Sequence, residues 1–105
     1  MDPVIRNGEP VFPREVEACL ARHPKVQAVR CVGVPDERHG QELCACIVLR
    51  HGEVADPAEM REHCRGRIAT RLLPRHVRFL PALPATLDGL RRQMAADLGY
   101  RVEAA

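Results

Sequence analysis

The stretch Val4–Glu17, VIRNGEPVFPREVE, restricts the fold more than any other part of this 105-residue chain. Asn7-Gly8 predicts a two-residue hairpin, because a type I′ turn needs positive φ at both central positions and these residues tolerate it best. Pro10 has no N–H to give to a ladder, so the return strand belongs at a sheet edge or is cut short there. Pro13 suits the first turn of a helix, where the missing donor has no partner to lose. Val16, Cys19 and Leu20 then recur at i, i+3, i+4 and give that helix one buried stripe.

Further along, Pro24 disfavours helix at the residue before it and marks a stop. Val26–Val34 and Glu42–Arg50 read as strands, the second mostly apolar and therefore central. The polar link Pro35–Gly40 between them is short, which predicts an antiparallel pair. Asp56 as N-cap and Pro57 at the first helical position open a second helix. Its stripe is Met60, Cys64, Ile68 and Leu72, and Leu73-Pro74 is its expected end. Pro74–Leu80 reads as a third strand with Val77 and Phe79 on one face. A short helix over Arg91–Leu98, stopped by Gly99, closes the chain. The expected fold class is α+β, one domain over 1–105: an N-terminal hairpin at 4–12, then a small sheet of about three strands packed with two to three helices.

Charge and composition exclude several functions. A net charge of +2 with both signs interspersed, and only Phe12, Phe79 and Tyr100 as aromatics, leaves no footprint for nucleic acid. With no apolar run long enough for a bilayer and no signal-peptide pattern, no membrane contact is expected and the compartment reads as cytoplasmic. Five cysteines, an odd number without secretory context, argue against a disulfide framework. Cys44 and Cys46 fall on one face of a strand, and all five read as small buried hydrophobes. The five histidines show no H-x-x-x-H pairing, so no metal site or hydrolase triad is expected.

Asp2, Arg6-Asn7-Gly8-Glu9 and Pro13-Arg14-Glu15-Val16-Glu17 together resemble the start of the C-terminal lid domain of the AMP-forming adenylating enzymes, among them acyl-CoA synthetases and related acid–thiol ligases. In that family a hinge Asp precedes a Gly-rich hairpin and a P-x-E-V-E helix start. The similarity continues through Val32-Gly33-Val34-Pro35-Asp36, Gly40 and Glu42, and through Pro74, Val77 and Phe79. One departure is Arg71-Leu72, where the family often carries Tyr-Lys.

The resemblance implies a hinge at Asp2, a thiol-channel hairpin at Asn7, Gly8 and Glu9, and a motif loop at Thr86, Gly89 and Leu90. The hairpin's first glycine position is Asn7 here. The family motif L-P-x-T-x-x-G-K is matched at Leu83, Pro84, Thr86 and Gly89, but its catalytic lysine position is Leu90. That lysine would stabilise negative charge building on the carboxylate and the α-phosphate, and a leucine cannot do so. Arg91, one residue on, keeps a charge but breaks the motif's spacing, and Arg91, Arg92 and Arg101 read as a solvated helix face. If position 90 were the lysine site, Leu90→Lys would raise adenylation in a parent enzyme.

The function implied by the resemblance is that of a lid domain, inactive alone, without a catalytic residue and without a cofactor of its own. A parent ligase would use ATP with magnesium, and CoA or phosphopantetheine. The implied partner is a large N-terminal adenylating domain, in cis or in trans, together with CoA or an acyl carrier protein. The alternative is a free-standing, non-catalytic module that docks on an adenylating enzyme or a carrier protein. Met1 directly before the hinge and the missing lysine favour that alternative.

Overall fold

The computed structural model describes residues 3–99; Asp2, the expected hinge, and Arg101 lie outside the described residues. Nine elements follow one another: β1 (Val4–Arg6), β2 (Glu9–Val11), α1 (Pro13–Ala21), β3 (Val26–Asp36), β4 (Gly40–Leu49), α2 (Pro57–Cys64), a 3-10 turn (Thr70–Leu72), β5 (His76–Phe79) and α3 (Leu87–Asp97). β1 and β2 form the expected hairpin, with Arg6 opposite Glu9 and with Asn7 (φ 52°) and Gly8 (φ 77°) at its tip. β2 is the outer strand and three residues long, as the missing Pro10 donor requires.

β4 organises the sheet. One of its edges pairs antiparallel with β3 along nearly its whole length, from Val26 opposite Leu49 to Asp36 opposite Gly40. Its other edge is shared. β1 meets it at Arg6 opposite Gly40, and β5 runs parallel to it from Cys44–His76 to Ile47–Phe79. The hairpin therefore joins the same sheet, which has five strands instead of about three.

β4 buries side chains on both faces. Leu43, Ala45 and Ile47 face α1 and α2, among Val16, Leu20, Met60 and Val77. Cys44 and Cys46 face α3 with Val32, Val34, Leu90 and Met94. A strand covered on both sides reads as a continuous apolar run, which is what LCACIVL is. All five cysteines are free and buried; the sulfurs of Cys44 and Cys46 lie 4.0 Å apart.

Two helix boundaries differ from the sequence expectation. Asp56 caps α2, its Oδ1 accepting the Glu59 N–H at 2.9 Å, but the helix stops at Cys64. Gly66, at φ 80°, takes the left-handed conformation that ends it, and Arg65 bridges to Ile68. Ile68 and Leu72 still reach the core, carried by the returning chain and the 3-10 turn. α3 begins four residues early because Thr86 is its N-cap, with Oγ1 accepting the Gly89 N–H at 3.0 Å. Among the described residues no helix is long and apolar enough to cross a membrane.

This packing has two measurable outcomes. Burial pushes the Cys64 thiol up to about 12 and also raises Cys31, while the contact with the Cys44 sulfur, then burial, raises Cys46. A thiol reagent at neutral pH should label none of the five cysteines in the native chain and all five in guanidinium; fast native labelling would mean that the core opens. Burial, then the Arg78 and Arg75 guanidiniums, hold His76 below its ordinary 6.5. The unfolded chain therefore takes up this proton first, so stability should fall as pH drops through about 6.5 toward the lower folded value. His76→Gln should flatten that part of a Tm-versus-pH curve, and an unchanged slope would contradict it.

Candidate functional site

Buried Glu42 fixes the hairpin in place. This side chain is 1% exposed, and its Oε1 accepts from Arg6 Nε at 3.1 Å. His39 Nδ1 lies 2.9 Å from the same oxygen and 3.0 Å from Asp36 Oδ2, aligned with neither as a hydrogen-bond donor. Asp36 in turn closes the β3–β4 turn, its Oδ2 accepting the N–H groups of Arg38 at 3.0 Å and His39 at 2.7 Å. Partial desolvation acts to raise the Asp36 carboxyl, but these N–H groups and the neighbouring imidazole hold it below its ordinary value.

Further bonds complete the attachment. Asn7 N–H donates to the His39 carbonyl at 2.9 Å, Ile5 N–H to Gln41 Oε1 at 2.7 Å, and Arg6 Nη1 to the Arg71 carbonyl at 2.7 Å. The hairpin tip is thus anchored at its base and open at its end. A side chain at Gly8 would meet nothing within 4 Å, so glycine is needed there for its backbone angle and not for closeness inside the domain.

Beside the tip is a cleft of about 510 Å³ lined by Arg6, Asn7, Glu9, Thr70, Arg71 and Arg75. Among the described residues the Arg71 and Arg75 guanidiniums have no ion-pair partner, whereas Arg6 is bound to Glu42. Guanidiniums left in this state suit phosphate or carboxylate groups. The position singled out as a departure, Arg71, therefore stands next to Asn7 and Glu9, although sixty residues separate them.

The other set of expected site residues lies on α3. Thr86 and Gly89 form the cap, and a Cβ on Gly89 would sit 3.0 Å from Thr86 Oγ1, so a side chain there would press on the capping hydroxyl. Leu90 is in the first turn, 1% exposed, packed with Val32, Val34, Cys44, Cys46 and Met94. Truncating such a leucine typically costs about 2–5 kcal/mol. A lysine at its place would give up that packing and carry its ammonium out into the cavity that Leu90 lines beside Leu83 and Thr86. Leu90→Lys should therefore lower stability through the lost packing, whatever it does for adenylation. Arg91 and Arg92 flank Asp88 at 3.7 and 3.3 Å on the outer face.

The Asp36–His39–Glu42 group was not legible as a cluster, although its i, i+3, i+6 spacing around a turn is visible afterwards. Their ligand atoms lie within 4.8 Å of one another. His23 and His63, far apart in sequence, meet edge to face at 4.8 Å, with His23 Nε2 3.2 Å from Glu59 and His63 Nε2 3.0 Å from the Cys19 carbonyl. The His63 bond joins α2 to α1, and the His23 pair joins α2 to the turn that follows α1.

Comparison with known proteins places this arrangement. The chain is 41% identical over 103 residues to the mitochondrial medium-chain acyl-CoA ligase ACSF2 of Mus musculus, covering 92% of this chain and 17% of that protein. A fatty acyl CoA synthetase of Mycobacterium tuberculosis superposes with a TM-score of 0.83 at 33% identity, covering 91% of this chain and 20% of that one. ATP-bound MatB from Rhodopseudomonas palustris gives 0.83 at 28% identity, over 90% and 20%. The chain thus spans about a fifth of the length of these relatives. The AMP-binding enzyme C-terminal domain matches residues 15–90, and it is to this family that the chain belongs.

Proposed function

We propose that the chain serves as the lid of an AMP-forming acid–thiol ligase, working with a large adenylating domain in cis or in trans. The observation that carries this reading is the hairpin tip at Asn7, Gly8 and Glu9 standing open beside the arginine-lined cleft. A lid must offer backbone to an approaching thiol and positive charge to the phosphates that accompany it. CoA and phosphopantetheine both have that chemistry. In the assembled ligase the lid alternates about a hinge at Asp2, ATP with magnesium occupies the large domain, and the hairpin orientation completes thioester formation. We place this activity in the cytoplasm.

Leu90 favours a second reading. With the lysine position buried in the core, the chain brings no ammonium to the adenylation step. A free-standing, non-catalytic module that docks on an adenylating enzyme or a carrier protein has the same surface and no need of that charge. An immunoblot of fractionated source-cell extract separates the two: a cytoplasmic band near 11.7 kDa supports the module, and a single much larger band supports a lid within a ligase.

Either way, the isolated chain with ATP, magnesium and a panel of acids should release no pyrophosphate above background; robust release dependent on the protein would overturn both readings. In a ligase carrying this lid, Arg71→Ala together with Arg75→Ala should raise the KM for CoA about tenfold or more, with a weaker salt dependence, and leave acyl-adenylate formation unchanged. An unaltered KM would remove the cleft from the acceptor site.

A further inference from the structure

Arg30 belongs to neither the hairpin nor the motif. It is exposed on β3, the strand whose outer edge no other described strand covers. Its guanidinium has no ion-pair or hydrogen-bond partner among the described residues, unlike those of Arg6, Arg61 and Arg65. Two cavities meet at this side chain. One, of about 420 Å³, also holds Arg91, Gln41 and Glu17. The other, of about 270 Å³, is walled by the loop Leu83–Leu87 and by Leu90. Leu87 and Arg30 line both, so together the cavities flank the loop that the lysine motif would occupy.

We infer that Arg30 and Arg91 form a binding site for a pyrophosphate-type anion alongside this loop. Three observations converge on it. The Arg30 guanidinium has no partner among the described residues, that of Arg91 meets only the exposed Asp88 at 3.7 Å, and both line a cavity shared with the Gln41 amide. The carboxylate there, Glu17, is already engaged, its Oε2 accepting the Cys31 N–H at 2.9 Å. The space continues on both sides of Arg30, which suits an anion with charges set out along a chain better than a compact monophosphate. The site supplies from β3 a positive charge that Leu90 does not supply from the motif. Its use in a ligase rests on the lid reading above, whereas the binding itself does not.

The test is titration of the 105-residue chain with inorganic pyrophosphate at low salt, followed by backbone amide NMR. Shifts should gather at Arg30, Cys31, Leu87 and Arg91. Arg30→Gln, a surface change, should weaken binding at least tenfold, Arg65→Gln on the exposed end of α2 should leave it unchanged, and monophosphate should bind at least tenfold more weakly. The inference is overturned if shifts gather at the hairpin cleft, if Arg30→Gln binds like the parent chain, or if monophosphate binds equally well. Saturable pyrophosphate binding by a chain that fails to support any ligase would sink the lid reading and leave this site standing.

Discussion

A carboxylate with 1% of its surface exposed has to be compensated within the fold, and Glu42 recruits its partners from the β1–β2 hairpin and the β3–β4 turn. Breaking a buried pair by removing one partner typically costs about 3–5 kcal/mol. Arg6 cannot therefore drift, and through Arg6 the whole hairpin is held to the first residue of β4. The same arginine reaches on to the Arg71 carbonyl, which brings the 3-10 turn and the Arg71 guanidinium to the hairpin's side. One buried charge thus helps hold together a cleft built from two distant segments, the hairpin and the stretch around the 3-10 turn.

That assembly explains what was legible beforehand. Asn7-Gly8, Pro10, Pro13 and the Asp56-Pro57 start are local signals, each enforced by a backbone angle or a missing donor, and each is found where expected. The pairing of β3 with β4 was legible for the same reason, a short polar turn between two apolar runs. The parallel alignment of β5 was not, because no pattern within HVRF encodes its partner. The apolar period that carried α2 too far was real, but Gly66 and the 3-10 turn satisfy it without a helix. At α3 the error ran the other way. Thr86 was read as a motif residue when it also had the chemistry of a cap.

The candidate site divides along similar lines. Asn7, Gly8 and Glu9 could be placed because a turn fixes them, whereas Arg71, Arg75 and Arg30 acquire meaning only from what the fold sets beside them. Exposed arginines are common in this chain, and sequence offers no means of telling a solvated one from one that lines a cleft.

The Thr86 cap changes how far the chain can extend. Four residues in helical form, Leu87–Leu90, advance about 6 Å, whereas the same four stretched out would cover about 13 Å. Winding them into α3 draws the tip of the motif back toward the sheet by roughly 7 Å by that arithmetic. A group mounted there would fall short of anything held across a gap, whatever its charge, unless the first turn of the helix came undone. The Thr86 hydroxyl, by capping α3, favours the wound and therefore shorter form of these residues.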